Sequence, residues 1–510
     1  MREPSTWRRV RRVGLAFGTW LACSAHVGNS LVVQQGTAGP YAVRVLVRPP
    51  GVIPGLVQVT LRTSGPTPRE LSVQPALWRY GTKGAPPPEI ATPVPGDPGT
   101  FTAQLWIMSS GSYAFHVRAS GPEGSGSFIV PFSSAATTTL EMPTQLGGIL
   151  LGLGALLLVG VLSITAASAR ESTLPKGERP DATRHRRARR AMALAGGLSA
   201  AALFGGWKWW GAVDGSYRRG LERPLAVESS VTAGDARTLT LRVTDSTWRL
   251  GASRENRRAR LLTPLMPDHG KLMHLFLVAE RGEGAAAHLH PVKQDDRTFV
   301  TSVPEVPAGR YWLFADVVHE SGYARTFVDT VEVPAGTAAM NPDGDDAIAR
   351  TLPRAEGGAA LAEGGRMVVA LDGAPVVGRD VLVRARVTEA DGTPSPLAAW
   401  MGMAGHAMLL RTDGGVFVHL HPMGSASMAA QERLARREAG DTALHGEHQP
   451  ASPHAAHAMG SAPIVAATGE VSFPLAFPSA GTYRVIVQVR RVGRAVETGM
   501  IEVVVPPTPK

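Results

Sequence analysis

A chain of 510 residues exceeds what one hydrophobic core can organise, and its abundance of Gly (57) and Pro (40) favours short strands and turns over long helices. The formal net charge of +10 is not a nucleic-acid footprint, because much of it sits in an N-terminal basic head and one short loop, where membrane insertion accounts for it. No nucleophile elbow, phosphate-cradling glycine loop or HExxH lies in the strand and helix context such motifs need, which argues against hydrolase and nucleotide-enzyme chemistry.

In chain order, Arg8, Arg9, Arg11 and Arg12 precede a short apolar stretch and then Cys23, Ser24 and Ala25, the layout of a secretory signal over residues 1–25. Cleavage after Ala25 would leave His26 as the first residue and no cysteine, so neither disulfides nor thiolates are expected in an oxidising compartment. Residues 26–145 carry runs such as YAVRVLV (41–47), LVQVTLR (56–62) and FTAQLWIM (101–108) between Gly/Pro turns, which predicts an antiparallel sandwich. Residues 146–167 are uncharged and long enough to cross a bilayer as a helix. Residues 191–213 form a second apolar segment ending in Trp207, Lys208, Trp209 and Trp210, side chains suited to a membrane interface. The loop between them (168–190) is basic. The positive-inside rule therefore places it in the cytoplasm, with both large regions on the periplasmic side of an inner membrane crossed twice.

Two further β regions follow, at 228–334 and 366–505, separated by a Gly/Ala/Asp-rich linker at 335–365 whose NPDGDD lacks the full ligand spacing of a calcium loop. The expected fold is mainly β: three immunoglobulin-like antiparallel β-sandwich domains plus a two-helix transmembrane hairpin. The second and third regions read as an internal repeat. Each has a histidine-bearing strand, then HLHP (288–291 and 419–422), then PAGRYWLFADV (307–317) or SAGTYRVIVQV (479–489).

The chemistry concentrates in these repeats. In GHAMLLRTDGGVFVHLHP (405–422), a type I′ turn centred on Asp413-Gly414 would set Met408 opposite His419 and His406 opposite His421. Side chains alternate along strands, so His406, Met408, His419 and His421 would share one face while Ala407, Leu409, Val416, Val418 and Leu420 enter the core. Imidazoles with a thioether suit copper, Cu(I) or Cu(II), with Zn(II) as the alternative. Met401, Met403, Met423 and Met428 flank this hairpin, and a low-complexity insert adds His445, His448, His454, His457 and Met459. In the second region a longer turn near Gly282 would pair His274 with His290 and Phe276 with His288, with Met266, Asp268, His269 and Met273 upstream as supplementary ligands. His116 reads as structural. A mature N-terminal His26 would offer a separate amine–imidazole chelate.

The run WMGMAGHAMLLRTDGGVFVHLHPMGSASM (400–428), with AHVGNS (25–30) and GPYAVRVLVRPPGVIPG (39–55), resembles bacterial envelope proteins of the YtkA-like/FixH-like group, which implies small immunoglobulin-like sandwiches. The use of His and Met on a sandwich is similar to periplasmic copper-binding proteins of the CopC-like and PCu(A)C types, although the ligand spacing of neither is reproduced. The order of N-terminal His, sandwich, two helices and sandwich also resembles the copper-bearing subunit of particulate methane monooxygenase, but the first region lacks the His-X-His of that site. The expectation is a non-enzymatic, membrane-anchored protein for copper handling, delivery or tolerance. Its partners would be the lipid bilayer and an envelope metalloprotein. An envelope scaffold with incidental histidines and a subunit of a copper redox enzyme are the alternatives.

Overall fold

The computed structural model describes residues 26–27, 31–233, 236–248, 263–281, 284–336, 344–443 and 464–508. The expected signal segment and the His/Met-rich insert (His445, His448, His454, His457 and Met459) lie outside the described residues.

The architecture is mainly β, with seven sheets that are antiparallel apart from the parallel pairing of His26–Val27 with Val416 and Phe417. Three apolar cores each lie between two of these sheets. The first joins Val43, Val45, Val57 and Val59 to Phe115, Val117 and Phe132. The second joins Leu239, Leu241 and Phe299 to Leu275, Leu277 and Leu313. The third joins Val383, Phe473 and Leu475 to Leu409, Val485 and Val487. Alternating Val and Leu in each strand supplies these faces, as a period of two requires.

The same strand order recurs around each core. In the third region Val416–Leu420, His406–Arg411, Gly481–Arg490 and Val496–Val505 are neighbours in that sequence. Ala286–Leu289, His274–Ala279, Gly309–His319 and Ala324–Val333 repeat it in the second region, and Glu89–Ile90, Glu70–Leu77, Gly111–Gly121 and Gly124–Ser134 in the first. One tyrosine marks the long strand every time. Tyr113, Tyr311 and Tyr483 each donate a hydroxyl hydrogen bond to the carbonyl four residues upstream, on Ser109, Pro307 and Ser479, at 2.9, 2.8 and 2.9 Å. This is the tyrosine corner of β-sandwiches. The repeat therefore has three copies rather than two, and the signal for the extra one is the shared Gly-X-Tyr at 111–113, 309–311 and 481–483.

Three helices complete the described structure: α1 (Thr144–Glu171), α2 (Ala182–Arg219) and α3 (Met428–Glu438). Among the described residues α1 alone is long and apolar enough to cross a membrane. α2 falls short because its apolar stretch is rich in Gly and Ala and its first turns carry Arg184, Arg186, Arg187, Arg189 and Arg190. Asp181 caps it, accepting from the Arg184 amide at 2.8 Å, so the expected basic loop is largely helical and shrinks to residues 172–181. Region 335–365 is also more than a linker. Ala347–Ala349 adds a strand beside Ala286–Leu289, and Ala359–Ala360 pairs with Arg366–Asp372.

Candidate metal centre

Both histidine hairpins have the expected register. Met408 pairs with His419 and Leu410 with Phe417, while Phe276 pairs with His288 and Leu275 with Leu289. The turn chemistry differs from expectation. Gly414 alone takes positive φ (75°) and its amide donates to Arg411 at 2.8 Å, so the tip is a four-residue connection rather than a type I′ pair at Asp413-Gly414. Type I′ turns occur instead at His269-Gly270 (φ 52° and 81°) and Met401-Gly402 (φ 50° and 80°). Each lies at the same distance before its strand, so His274 and His406 both follow the turn by the same count of residues.

The histidine-bearing faces do not meet solvent. His274–Ala279 is buried throughout, because one face enters its own core and the other packs against the third region. The contact is an apolar cluster of Phe276, Val278 and Phe314 from one repeat with Met408, Leu410, Phe417 and Ile486 from the other. Phe314 and Phe417 stack at 4.3 Å between centroids. Beside this patch the two sets of imidazoles are pressed together, with ring centroids of His274 and His419 5.3 Å apart and those of His288 and His406 5.7 Å apart. The two expected sites form one composite cluster.

Within it, three groups bring their donor atoms within 4.8 Å of one another: His274 with His288 and His290; His406 with His419 and His421; and Asp268 with His269 and His421. His274 Nδ1 lies 3.0 Å from His288 Nε2, and His406 Nδ1 lies 3.2 Å from His419 Nε2. His288 Nδ1, His290 Nε2, His406 Nε2 and both nitrogens of His421 are buried with no hydrogen-bond partner in the protein. One carboxylate, Asp346, orients its ring from behind, whereas Asp316 stays beyond hydrogen-bond distance of its neighbour. Asp346 Oδ1 accepts from the His290 amide at 3.1 Å and lies 2.9 Å from its Nδ1, while Asp316 Oδ2 lies 3.6 Å from His419 Nδ1. A carboxylate behind an imidazole is how metal-ligating histidines are held.

Burial sets the charge state. Desolvation, reinforced by the neighbouring imidazoles, lowers the pKa of His288, His290, His406 and His421 well below the ordinary value. Burial and then the charge of His419 push His274 down to about 3. Burial would raise the Asp268 carboxyl, but His269, His421 and His274 outweigh it and hold the group below the usual carboxylate range. His269, His274, His288, His290, His406 and His421 are thus neutral nitrogen donors beside one anionic oxygen, the state in which these groups bind metals.

The model of a domain of unknown function (DUF8832) matches residues 220–335 and 362–506, just over half of the chain and both histidine repeats. The chain belongs to the DUF8832 family. No curated protein matches it. Solved structures share only weak similarity. A 1.5-MDa bacterial ice-binding adhesin is 9% identical over 89% of this chain and 92% of its own, with a TM-score of 0.14. MtrC from Shewanella baltica OS185 is 10% identical over 59% and 72%, with a TM-score of 0.15. A putative membrane anchored protein from Corynebacterium diphtheriae is 10% identical over 94% and 97%, with a TM-score of 0.14.

The DUF8832 repeats thus bring together His274, His288, His290, His406, His419 and His421, and add His269 with Asp268. Met408 is buried opposite His419 and belongs to the adjoining apolar cluster. Met403 is buried at the end of the Met401-Gly402 turn, and the carbonyl of Met423 accepts from the Gln35 amide at 2.7 Å. Met273 lies in the second core. The backbone of His26 pairs with Val416 near the hairpin tip, and its side chain lies outside the described residues. His116 sits in the first region, 3.6 Å from Glu438 of α3. Sequence reasoning missed Asp346, Asp316 and Trp400. Trp400 is fully buried, donates from Nε1 to Asp345 at 2.9 Å and sets its ring 4.8 Å from His406. Its signal is positional: Trp400 stands six residues before His406, as Asp268 stands six before His274.

Proposed function

We propose that this DUF8832 protein is a membrane-tethered, non-enzymatic metal-binding protein of the cell envelope that handles, delivers or detoxifies copper. The observation that carries the reading is the composite cluster, in which seven imidazoles and one carboxylate converge with several donor nitrogens unpartnered and buried. Each such orphan costs about 1–3 kcal/mol, so five approach the net stability of a whole domain, about 5–15 kcal/mol. An ion accepting those lone pairs offsets that cost. The two triads would each hold one ion. Imidazole triads suit Cu(II) and Zn(II) alike; the buried thioether of Met408 beside His419 favours copper.

The remaining parts fit the same reading. α1 would span the bilayer, and α2 would accompany it with Leu198, Leu203, Phe204, Trp207, Trp209 and Trp210 exposed to lipid rather than covered by protein. The β regions would be immunoglobulin-like sandwiches on the extracytoplasmic side, in keeping with the YtkA-like/FixH-like resemblance. Elemental analysis of the full chain in detergent tests the proposal. Copper should be retained by the native protein and lost from H288A/H406A, with folding of the variant checked by circular dichroism. A native protein that retains no metal after exposure to copper or zinc refutes it.

A further inference from the structure

A cleft reaches the centre from the side of the pseudo-symmetric pair that carries Asp316. Its floor includes His274, His419, His421, Asp268 and Asp316. Its rim includes Pro50, Ala135, Thr137, Glu222 and Arg223. Of these, Ala135 and Thr137 lie shortly before α1 and Glu222 and Arg223 just after α2, and the two helices are tied there. The Glu222 amide donates to Ala136 at 2.7 Å, and the Tyr217 hydroxyl donates to Thr138 at 3.4 Å. The cleft therefore opens next to the points where the chain joins its helices.

The groups along it favour a cation. The basic side chains of the wall are each engaged by an acid: Arg325 with Glu222 at 2.9 Å, Lys271 with Asp345 at 3.3 Å, and Arg223 with Asp245 at 3.8 Å. Asp316 is different. Its side chain is 22% exposed, one oxygen accepts from Thr326 Oγ1 at 2.5 Å, and the other faces His419 Nδ1 at 3.6 Å. The equivalent position in the other repeat is Gln488, since Asp316 pairs with His274 as Gln488 pairs with His406. Gln488 is fully buried and neutral. At matching positions, then, one half of the centre has a partly exposed carboxylate and the other a buried amide.

We propose that this cleft is the route by which a metal cation reaches the histidine centre, and that the Asp316 carboxylate is its first ligand on the way in. The inference rests on the metal-binding reading above. The ion sheds water against the Asp316 oxygen, passes to His419 and is then held by the triads; no bond of the protein breaks, and the ion gives up only its own water. A carboxylate focusing cations at a narrow mouth raises the association rate by about ten-fold or more without setting the final affinity.

Stopped-flow loading of the full chain in detergent with Cu(II), and separately with Zn(II), tests this. D316N keeps the shape of the side chain and should slow loading by about ten-fold at unchanged final stoichiometry. A135W narrows the rim and should slow it with both metals. Native loading rates in both variants, with normal stoichiometry, overturn the route while leaving the metal-binding reading intact. A loss of stoichiometry in D316N at a native rate makes Asp316 a resident ligand and also overturns it. A native chain that takes up neither metal ends both proposals.

Discussion

Asp346 offers the sharpest test of how the centre is organised. It lies in the stretch between repeats, outside the histidine hairpins, and its carboxylate and the His290 side chain are 2% and 1% exposed. One oxygen faces both the backbone amide and the Nδ1 of His290, at 3.1 and 2.9 Å. A neutral His290 therefore keeps its proton on Nδ1 and presents the Nε2 lone pair to the cluster. Asp346→Ala removes that constraint while leaving every imidazole in place. Loss of such an orienting partner typically weakens metal affinity by about 10–100-fold, or about 1.4–2.7 kcal/mol. Asp346→Asn retains an acceptor and should lose less than about ten-fold. Competition titration against a chromophoric chelator, following both ions, should show one weakened and the other within about two-fold of native, because the His406 triad does not touch Asp346. If a folded Asp346→Ala chain binds both ions with native affinity, a carboxylate-oriented triad is wrong.

Three further outcomes follow from the same geometry. The pKa of His274 is pushed down to about 3 in the folded state by burial and then by His419, against about 6.5 when unfolded. The unfolded chain binds the extra proton, so denaturant midpoints of the metal-free protein should hold above about pH 6.5 and fall as the pH drops towards 3; a flat profile contradicts the buried neutral cluster. Phe417→Ala removes a ring stacked on Phe314 at 4.3 Å and should cost about 3–5 kcal/mol in chemical denaturation, whereas a loss under about 1 kcal/mol would mean the repeats are not packed there. Trp400 lies close enough to His406 for Cu(II) to quench its fluorescence, so Trp400→Phe should abolish most copper-dependent quenching and, by losing the bond to Asp345, cost about 1 kcal/mol; undiminished quenching would place the ion elsewhere.

The parts of the centre legible in the sequence are those governed by local rules. Alternation along HLFLVA and HAMLLR, with HLH opposite, was enough to place three imidazoles on one face of each hairpin in the right register. Turn type was less legible. Asp413-Gly414 has the composition of a type I′ turn, but its tip rests against Trp312 of the other repeat, with Trp312 Cε2 3.0 Å from where a Gly414 Cβ would stand. The packing of one histidine face on the other was not legible at all. A polar stripe on a strand reads as solvent-facing, and nothing local says that a second stripe covers it. Asp346 is the last residue of the NPDGDD run, which stood out only as an incomplete calcium loop, and nothing local pointed it at His290. The basic loop was misread because Ala and Arg between the apolar segments are good helix formers and continue α2 outward.

The first region shows why the chemistry lies between the other two. It has the same strand order and tyrosine corner, and the register locates its counterparts of the metal-site positions. Ser72 pairs with Arg118 as His274 pairs with Asp316, and it pairs with Ile90 on its other side, where the second repeat has His290. With Ser and Ile there, these positions of the sheet carry no imidazole. The region's other sheet supplies a clamp instead: strand Val32–Ala38 holds the turn that follows His421, through the Gln35 amide to the Met423 carbonyl at 2.7 Å and the Ser425 amide to the Val33 carbonyl at 2.8 Å. Each repeat closes its own core without the histidines, so a cluster between two finished cores can change its contents without unfolding either. Under the proposed function, donors placed at this seam, rather than inside one sandwich, would let an ion join two halves that each have their own core. The first-region copy, devoid of histidine at these positions, ties one half of the cluster to the segment that follows α2.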